Sequence, residues 1–363
     1  MKNNKRNLFT KMKKIHYLLF TIGSIFLAGA IVMKIQEPAV AQHSLFDELQ
    51  KEPITELVLE TDLGQLFSNT DDAIFEEGKL TFFNTDTTNT NTSYTIKVQP
   101  RGVTRKRICD FPPLKLRFSK TDLEANRMST YSTLKLVTHC KDGADFEQIL
   151  LKEYTAYKMY NALTEKSFRV QLVKITYVDA SLEIPSSTHY GFLIENKKEM
   201  ADRLGAKLMD KQEGPLTQID ANQYRLFALF QYMIGNTDWN LSKQHNLKLL
   251  VEDGKYGPLP VPYDFDFAGL VDAPYAKPYP TLPIKNVKQR FFQYRGKKNA
   301  DFSPTYDLFN TKKAEIMRLH TDFNLLDESV KREMTSYLSA FFDLIEAPRL
   351  ANEELLLGGA VHG

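Results

Sequence analysis

Acidic and amide side chains that could support phosphoryl chemistry are concentrated in residues 235–269. Asp238 lies in a Gly-Asn-Thr-Asp segment after an apolar stretch, Asn246 follows a histidine, and Asp264 and Asp266 belong to a Tyr-Asp-Phe-Asp segment. Oxygen ligands of this kind suit a hard cation such as Mg²⁺. Phosphoryl transfer also needs a carboxylate near the acceptor hydroxyl. The pattern therefore predicts metal ligands at Asn246, Asp264 and Asp266, and it assigns Asp238 to the acceptor.

A predicted hairpin would bring these groups together. Two apolar segments, residues 246–251 and 259–263, flank Asp-Gly-Lys-Tyr-Gly, which is typical of a hairpin turn. A turn in the middle would place Asn246 opposite Asp264, and directly opposed residues have Cβ atoms about 5 Å apart. Asp266 would return to the same face of the strand. Burying unpaired carboxylates would cost several kcal/mol, which favours a metal over an ordinary solvated turn.

These motifs resemble those of the CotH kinase family of spore-coat proteins. The downstream matches are Gly-Asn-Thr-Asp, His-Asn and Pro-Tyr-Asp-Phe-Asp, and the upstream match is the loop of Arg101 and Gly102 with the Lys-containing strand that follows. The resemblance covers roughly residues 55–270. It implies an atypical protein-kinase-like fold and an ATP-dependent phosphotransferase that uses Mg²⁺ or Mn²⁺. Val103 departs from the family pattern, which has a polar residue in that loop.

Two lysines compete for the role of binding the nucleotide phosphates. Lys135 lies on a predicted strand, eighteen residues before Glu153 on the first long predicted helix. This order suits the ion pair between a strand lysine and a helix glutamate that kinases use. Lys115 is the rival, because it occupies the strand after the Arg-Gly loop. For both lysines the alternative is an exposed strand position.

The remaining polar residues divide into further nucleotide contacts and ordinary polar positions. Arg101 and Arg105 lie on either side of a glycine loop and could reach phosphates, although a basic loop is usually only solvated. The strand that contains Ile194 would present its backbone to the adenine. His139 and His189 have no partner at metal-ligand spacing, and we interpret them as ordinary polar residues.

The periodicity of the apolar residues predicts the elements that position these groups. Short β-segments fill residues 56–138, and a strand pair follows the first long helix; the predicted helices cover residues 146–163, 197–204, 221–234 and much of 306–350. This order predicts an α+β chain. We expect a bilobal protein-kinase-like fold, with a β-rich N-terminal lobe in residues 43–195 and a mainly helical C-terminal lobe in residues 196–363.

The N-terminus predicts export from the cytoplasm. A basic start precedes an apolar run over residues 17–33 and an Ala-Val-Ala segment, which is typical of a signal peptide in residues 1–41. An uncleaved membrane anchor is the alternative, and both place the chain in the periplasm, in the cell envelope or outside the cell. The net charge of +2 provides no overall field that would attract nucleic acid.

Export bears on the two cysteines of the chain. Cys109 precedes the predicted strand 114–118 and Cys140 follows the predicted strand 134–138. If these strands are antiparallel neighbours, the two thiols lie close together and form a disulfide in an oxidising compartment. Two free, buried cysteines are the alternative.

Together these features predict an exported kinase that transfers a phosphoryl group from Mg-ATP to a hydroxyl of a protein or a glycan. Transfer of AMP by the same site stays open, because residue types do not say which phosphorus is attacked. A non-catalytic pseudokinase that binds a partner is a rival of another class. A further rival is an envelope protein in which the acidic residues hold calcium only for stability.

Overall fold

The computed structural model describes residues 43–68, 74–83, 91–210, 218–297, 299–357 and 361–362. The predicted signal peptide or anchor therefore lies outside the described residues. None of the helices in these ranges combines the length and the apolar character needed to cross a membrane. The chain from His43 onward forms one compact unit.

Seven strands form a closed barrel. They are β1 (Thr55–Thr61), β2 (Glu76–Phe82), β3 (Thr92–Pro100), β4 (Leu114–Phe118), β5 (Thr133–Val137), β6 (Val170–Asp179) and β7 (Ser187–Ile194). Their spatial order is β1-β2-β3-β4-β5-β7-β6, and β6 returns to pair in parallel with β1. The other pairs are antiparallel. Inward side chains such as Leu59, Ile96 and Leu116 fill the interior, as the two-residue period of a strand requires.

The helices precede, separate and follow the barrel strands along the sequence. They are α1 (Leu45–Leu49), α2 (Leu63–Ser68), α3 (Arg105–Ile108), α4 (Lys120–Ala125), α5 (Ala144–Leu163), α6 (Lys197–Arg203), α7 (Ala221–Met233), α8 (Ser303–Thr321), α9 (Glu328–Ile345) and α10 (Pro348–Asn352), with a π-helical segment Glu353–Leu357. A small sheet contains β8 (Ala206–Leu208), β9 (Leu247–Glu252) and β10 (Leu259–Pro262), and β11 (Arg290–Phe291) pairs with β12 (Val361–His362). Helices α5 and α7 each bury ten residues, and they lead to the residues that could do chemistry.

Helix α7 begins and ends where its sequence predicts. The side chain of Asp220 accepts a hydrogen bond from the backbone N–H of Gln223, which caps the first turn. At the other end Gly235 has φ of 67°, a left-handed conformation that glycine adopts without a steric penalty. A side chain at Gly235 would also collide with the hydroxyl of Tyr337. The chain therefore leaves α7 abruptly, and the loop that contains Asp238 begins there.

The α+β class is confirmed, but the prediction of a bilobal protein-kinase-like fold is wrong. The finding that overturns it is the closed barrel, in which Thr55 of β1 lies opposite Val173 of β6. The outer faces of β5, β6 and β7 also share one apolar cluster with α5, α7, α8 and α9. Local periodicity identifies a strand but not its partner, so the sequence contained no signal for the long-range pairing that closes the sheet.

The predicted disulfide between Cys109 and Cys140 is confirmed. Strands β4 and β5 are antiparallel neighbours, with Leu114 opposite Leu136, so the ends of the two strands meet as expected. Cys109 is also the residue that ends α3. The bond therefore fastens α3, with Arg105 as its first residue, to the end of β5.

Removing this bond should destabilise the protein. The loop between the two cysteines spans 31 residues, and closing such a loop stabilises the folded state by about 3 to 4 kcal/mol in the chain-entropy model. We expect the Cys109→Ala/Cys140→Ala variant to lose that amount of unfolding free energy in urea titrations. Intact-mass analysis after alkylation is the control, and two alkylatable thiols in the unreduced wild type would contradict the bond.

Candidate functional site

Three carboxylates meet around one buried guanidinium. Glu153 comes from α5, Asp264 and Asp266 come from the segment after β10, and Arg105 comes from α3. The Nη1 of Arg105 lies 3.2 Å from Glu153 Oε2, its Nη2 lies 2.6 Å from Asp264 Oδ1, and its Nε lies 3.2 Å from Asp266 Oδ2. One oxygen from each carboxylate lies within 4.8 Å of the others. We call these four residues the arginine–carboxylate cluster.

Helix α5 fixes the position of the acidic segment. Asp264 has φ of 68°, which turns the chain away from β10. Its backbone N–H then donates to the hydroxyl of Tyr157 over 2.8 Å. Tyr157 lies one helical turn after Glu153, so both face the same side of α5. Phe265 packs with its ring centroid 4.6 Å from that of Tyr157 and 5.5 Å from that of Phe230. These contacts hold both aspartates beside the helix, although neither lies in a strand.

The charges of the arginine–carboxylate cluster depend on one another. Burial alone would lower the pKa of Arg105, but Asp266, Glu153 and Asp264 outweigh it and raise that pKa well above its ordinary value. Burial raises the pKa of Asp266 and of Glu153. For Asp264 burial acts in the same direction, but Arg105 and Arg101 outweigh it, and the pKa is lowered. Arg105 and Asp264 thus form the fully charged centre of the cluster.

The donor atoms of the cluster fit a hard divalent cation. All three are carboxylates, which Mg²⁺ and Mn²⁺ prefer to nitrogen or sulfur ligands. The Oε1 atom of Glu153 is buried and has no hydrogen-bond partner within the described part of the chain. An unsatisfied buried oxygen is costly, and a metal would satisfy it. However, Arg105 already contacts all three side chains. A metal ion would have to displace the guanidinium or share the carboxylate oxygens with it.

Asn246 does not join the arginine–carboxylate cluster, contrary to its predicted role as a metal ligand. The predicted hairpin is present, but the backbone N–H of Tyr263 donates to the carbonyl of Asn246 over 3.1 Å, so Asn246 faces Tyr263. The register therefore differs by one residue from the expected one. The amide nitrogen of Asn246 instead donates to the backbone oxygen of Asp238 over 2.8 Å and to its Oδ2 over 2.9 Å. Asn246 positions Asp238.

Asp238 lies beside a polar pocket that its neighbours Thr237 and Trp239 help to line. Its Oδ1 is 3.1 Å from Nε2 of His245, and its backbone N–H donates to Oδ1 of Asn236. The pKa of Tyr279 is raised by the charge of Asp238, by burial and by the hydrogen bond between the Tyr279 hydroxyl and Asp238. The pocket has a volume of 570 Å³, and His245, Tyr279 and Lys248 are among its lining residues. Asp238 is thus held by several donors and remains accessible.

A strongly basic pocket lies on the other side of Lys248. It has a volume of 530 Å³, and its lining includes seven cationic residues: Arg101, Lys115, Lys120, Lys135, Lys197, Lys198 and Lys248. Glu195 also lines it, but this carboxylate pairs with Arg169 over 2.8 Å and with Arg203 over 2.9 Å. Because the cations outnumber the acids, we expect an anionic ligand. We call this space the basic pocket.

The barrel places three of the predicted nucleotide residues side by side. Lys135 of β5 lies opposite Lys115 of β4 and opposite Ile194 of β7 in the strand register. All three line the basic pocket together with Arg101, which follows β3. The strand order β3-β4-β5-β7 thus collects residues that are far apart in the sequence. Both candidate lysines belong to one pocket and do not exclude each other.

Lys135 does not form the predicted ion pair with Glu153 among the described residues. Arg105 takes that place, and Nζ of Lys135 lies over the ring of Tyr263, 4.6 Å from its centroid. Burial, followed by the charge of Arg101, lowers the pKa of Lys135 to about 7. A lysine with this pKa is only about half protonated at pH 7, and an anionic partner would favour its charged form.

Sequence reasoning missed the central role of Arg105, which was considered only as a phosphate contact. It also missed Tyr263. The ring centroid of Tyr263 lies 4.6 Å from Nζ of Lys135 and 5.1 Å from Nζ of Lys248. A signal was available for Arg105, because it precedes a cysteine by four residues and a disulfide would hold it inside the fold. Lys248 gave no signal beyond its place in the hairpin.

Comparisons with known proteins add no family to this description. No protein-family model matches the chain, and no curated protein matches it. The resemblance to the CotH family therefore rests on short motifs and stays a prediction. The features that bear on function are the arginine–carboxylate cluster, Asp238 and the basic pocket.

Replacing Arg105 should leave three acidic side chains without their cation. We expect Arg105→Gln to lower the unfolding free energy at pH 7 by about 3 to 5 kcal/mol, the usual cost of breaking a buried ion pair. The loss should be smaller at pH 5, because the carboxylates without Arg105 take up protons more readily. Urea titrations at both pH values test this. Arg107→Gln on the exposed side of α3 is the matched control. Equal effects of the two changes would contradict the stabilising role of the Arg105 ion pairs.

The lowered pKa of Lys135 predicts a pH-dependent stability. Between its folded value of about 7 and its ordinary value of 10.5, the unfolded chain binds more protons than the folded protein. Stability should therefore rise with pH in this window by at most about 1.4 kcal/mol per unit, and fall as pH decreases towards 7. Lys135→Met should flatten this slope in chemical denaturation. Lys174→Met, at an exposed barrel position, should leave it unchanged; a slope that survives Lys135→Met would refute the shift.

Proposed function

We propose that this chain is a metal-dependent phosphotransferase that moves a phosphoryl group from ATP to a hydroxyl of a protein or a glycan. One observation carries the proposal: the basic pocket with its seven lysine and arginine residues and the polar pocket beside Asp238 share Lys248, and Tyr263 of the polar pocket directly precedes Asp264 of the carboxylate cluster. Phosphoryl transfer needs cations for the phosphates, oxygen ligands for a metal and a carboxylate for the acceptor.

The basic pocket is assigned to the nucleotide. Its volume of 530 Å³ is within the usual range for a small-molecule site. Lys135 and Lys115 would contact the phosphates, with Arg101 at the same wall. The backbone near Ile194, at the end of β7, would meet the adenine. A lysine whose charge is suppressed by burial becomes protonated as it binds a polyphosphate, and this strengthens binding.

The carboxylates divide between the metal and the acceptor. Glu153, Asp264 and Asp266 would hold Mg²⁺ or Mn²⁺, which when bound neutralises charge that develops on the transferred group. Asp238 would accept a hydrogen bond from the acceptor hydroxyl and orient it. Asn246 holds Asp238 through two hydrogen bonds, so it is a positioning residue.

A second candidate function follows from Arg105. Its guanidinium already forms ion pairs with all three carboxylates, which favours a pseudoenzyme that binds an anionic nucleotide in the basic pocket but performs no chemistry. AMP transfer uses the same residues and differs only in the phosphorus attacked. The disulfide favours an oxidising compartment, in line with the proposed export to the periplasm, the envelope or the exterior.

Three matched variants test the proposal. Calorimetry with Mg-ATP and a transfer assay should show that Asp238→Asn keeps its nucleotide affinity but loses at least about a hundredfold in transfer rate. Asp264→Asn should lose the metal-dependent part of the affinity. Asp253→Asn, at the exposed hairpin turn, should match the wild type in both assays.

The outcomes separate the candidates. Nucleotide binding without any transfer by the wild type would favour the pseudoenzyme. The mass added to the acceptor distinguishes phosphate from AMP. Undiminished Mg-ATP affinity in Asp264→Asn would contradict the metal assignment, and a wild type that binds no nucleotide would refute the whole proposal.

A further inference from the structure

Two histidines and an aspartate converge at one end of the barrel, in a group separate from the arginine–carboxylate cluster. His139 follows β5, His189 belongs to β7, and Asp142 lies in the loop before α5. One ligand atom from each residue lies within 4.8 Å of the others. The pairing of β5 with β7 creates this proximity, although fifty residues separate the two histidines in the sequence.

The distances within this group are those of ligands around an ion. Oδ1 of Asp142 lies 3.6 Å from Nε2 of His139 and 3.8 Å from Nε2 of His189. Both distances exceed the usual hydrogen-bond limit of about 3.2 Å. Two ligands on one tetrahedral zinc ion lie roughly 3.3 Å apart, given bonds of about 2.0 to 2.1 Å. An inward movement of the exposed Asp142 side chain, together with a turn of one imidazole out of the parallel stack, would complete the coordination.

Within the ranges that the structure describes, both histidines and the neighbouring Tyr177 carry unpartnered polar atoms, of which Nε2 of His189 faces Asp142. His139 is only 3% exposed, and its Nδ1 has no hydrogen-bond partner within the described part of the chain. The same holds, among the described residues, for Nε2 of His189 and for the hydroxyl of Tyr177. A buried polar atom without a partner is costly, so a ligand that satisfies Nε2 of His189 has an energetic reason to bind.

The two imidazoles stack on each other, so one of them must turn out of the stack before both nitrogen lone pairs can point at one ion. Their rings stack with centroids 3.6 Å apart and planes 8° apart, and Phe111 packs on His139 with centroids 5.0 Å apart. Burial, with His189 as the next cause, lowers the pKa of His139 to about 4, so its imidazole is neutral at pH 7. Neutral imidazole is the form that binds metals. The disulfide of the adjacent Cys140 holds this end of β5 in place.

We propose that His139, His189 and Asp142 bind a divalent transition-metal ion of the Zn²⁺ class. Two imidazole nitrogens and one carboxylate oxygen suit zinc or cobalt, whereas the all-oxygen set at Glu153 and its neighbours suits magnesium. Asp142 is 93% exposed, so the ion has access from solvent and a water molecule can take the fourth position. The proposal does not depend on phosphotransfer.

Cobalt titration of the metal-stripped full chain tests this site. Tetrahedral Co²⁺ bound to nitrogen and oxygen ligands absorbs visible light strongly, and Zn²⁺ should displace it. We expect one such Co²⁺ per chain in the wild type and none in His189→Ala. Asp142→Asn should weaken binding at least about tenfold. Asp145→Asn, an exposed acid three residues along, is the matched control and should bind normally.

The carboxylate cluster needs a separate control. Asp266→Asn should leave the cobalt spectrum unchanged, provided that circular dichroism shows a folded protein. The proposal is overturned if the wild type gives no tetrahedral spectrum, if His189→Ala gives the same spectrum and affinity, or if the spectrum disappears in folded Asp266→Asn. A rise in melting temperature with Zn²⁺ that His189→Ala lacks would support it independently.

Discussion

The ion pairs of Arg105 with three carboxylates are the constraint around which the rest of the site is arranged. They connect α3, α5 and the segment after β10, and these contacts bury four ionisable groups together. A buried charge is tolerated only when it is paired, so each of these elements depends on the others for its position. The disulfide holds α3 to the barrel, and Tyr157 holds the acidic segment to α5. The cluster is thus supported by covalent, hydrogen-bonded and aromatic contacts.

The barrel determines how positive and negative charges are distributed around this cluster. Strands β3, β4, β5 and β7 bring Arg101, Lys115, Lys135 and Ile194 to one pocket, while the carboxylates come from elements outside the barrel. Burial among like charges suppresses the protonation of Lys135. An anion in the basic pocket would relieve that repulsion, and this is the physical reason to expect a polyphosphate there. The positive charge of Arg105 opposes the binding of a metal cation to the same carboxylates.

Hydrogen bonds around Asp238 give the second pocket its chemical character. Asn246 and His245 hold its carboxylate, and Asn246, whose φ is 53°, donates its side-chain amide to Asp238. The predicted metal ligand thereby becomes a positioning residue for the acceptor group. The observed register of the hairpin differs from the predicted one by one residue, and this shift changes which residues face one another.

Short-range patterns in the sequence were enough to predict the strand at residues 114–118, the long helix ending at Leu163, the cap at Gly235 and the disulfide. They also pointed to Asp264 and Asp266 as neighbours, because turn signals and alternating apolar residues act over a few positions. Only the tertiary structure decided the parallel closure of β1 on β6, the place of Arg105 among the carboxylates, and the meeting of His139 with His189. These contacts join segments that lie far apart along the chain, and their free energy comes from burial and charge pairing in the assembled core, which local periodicity does not encode.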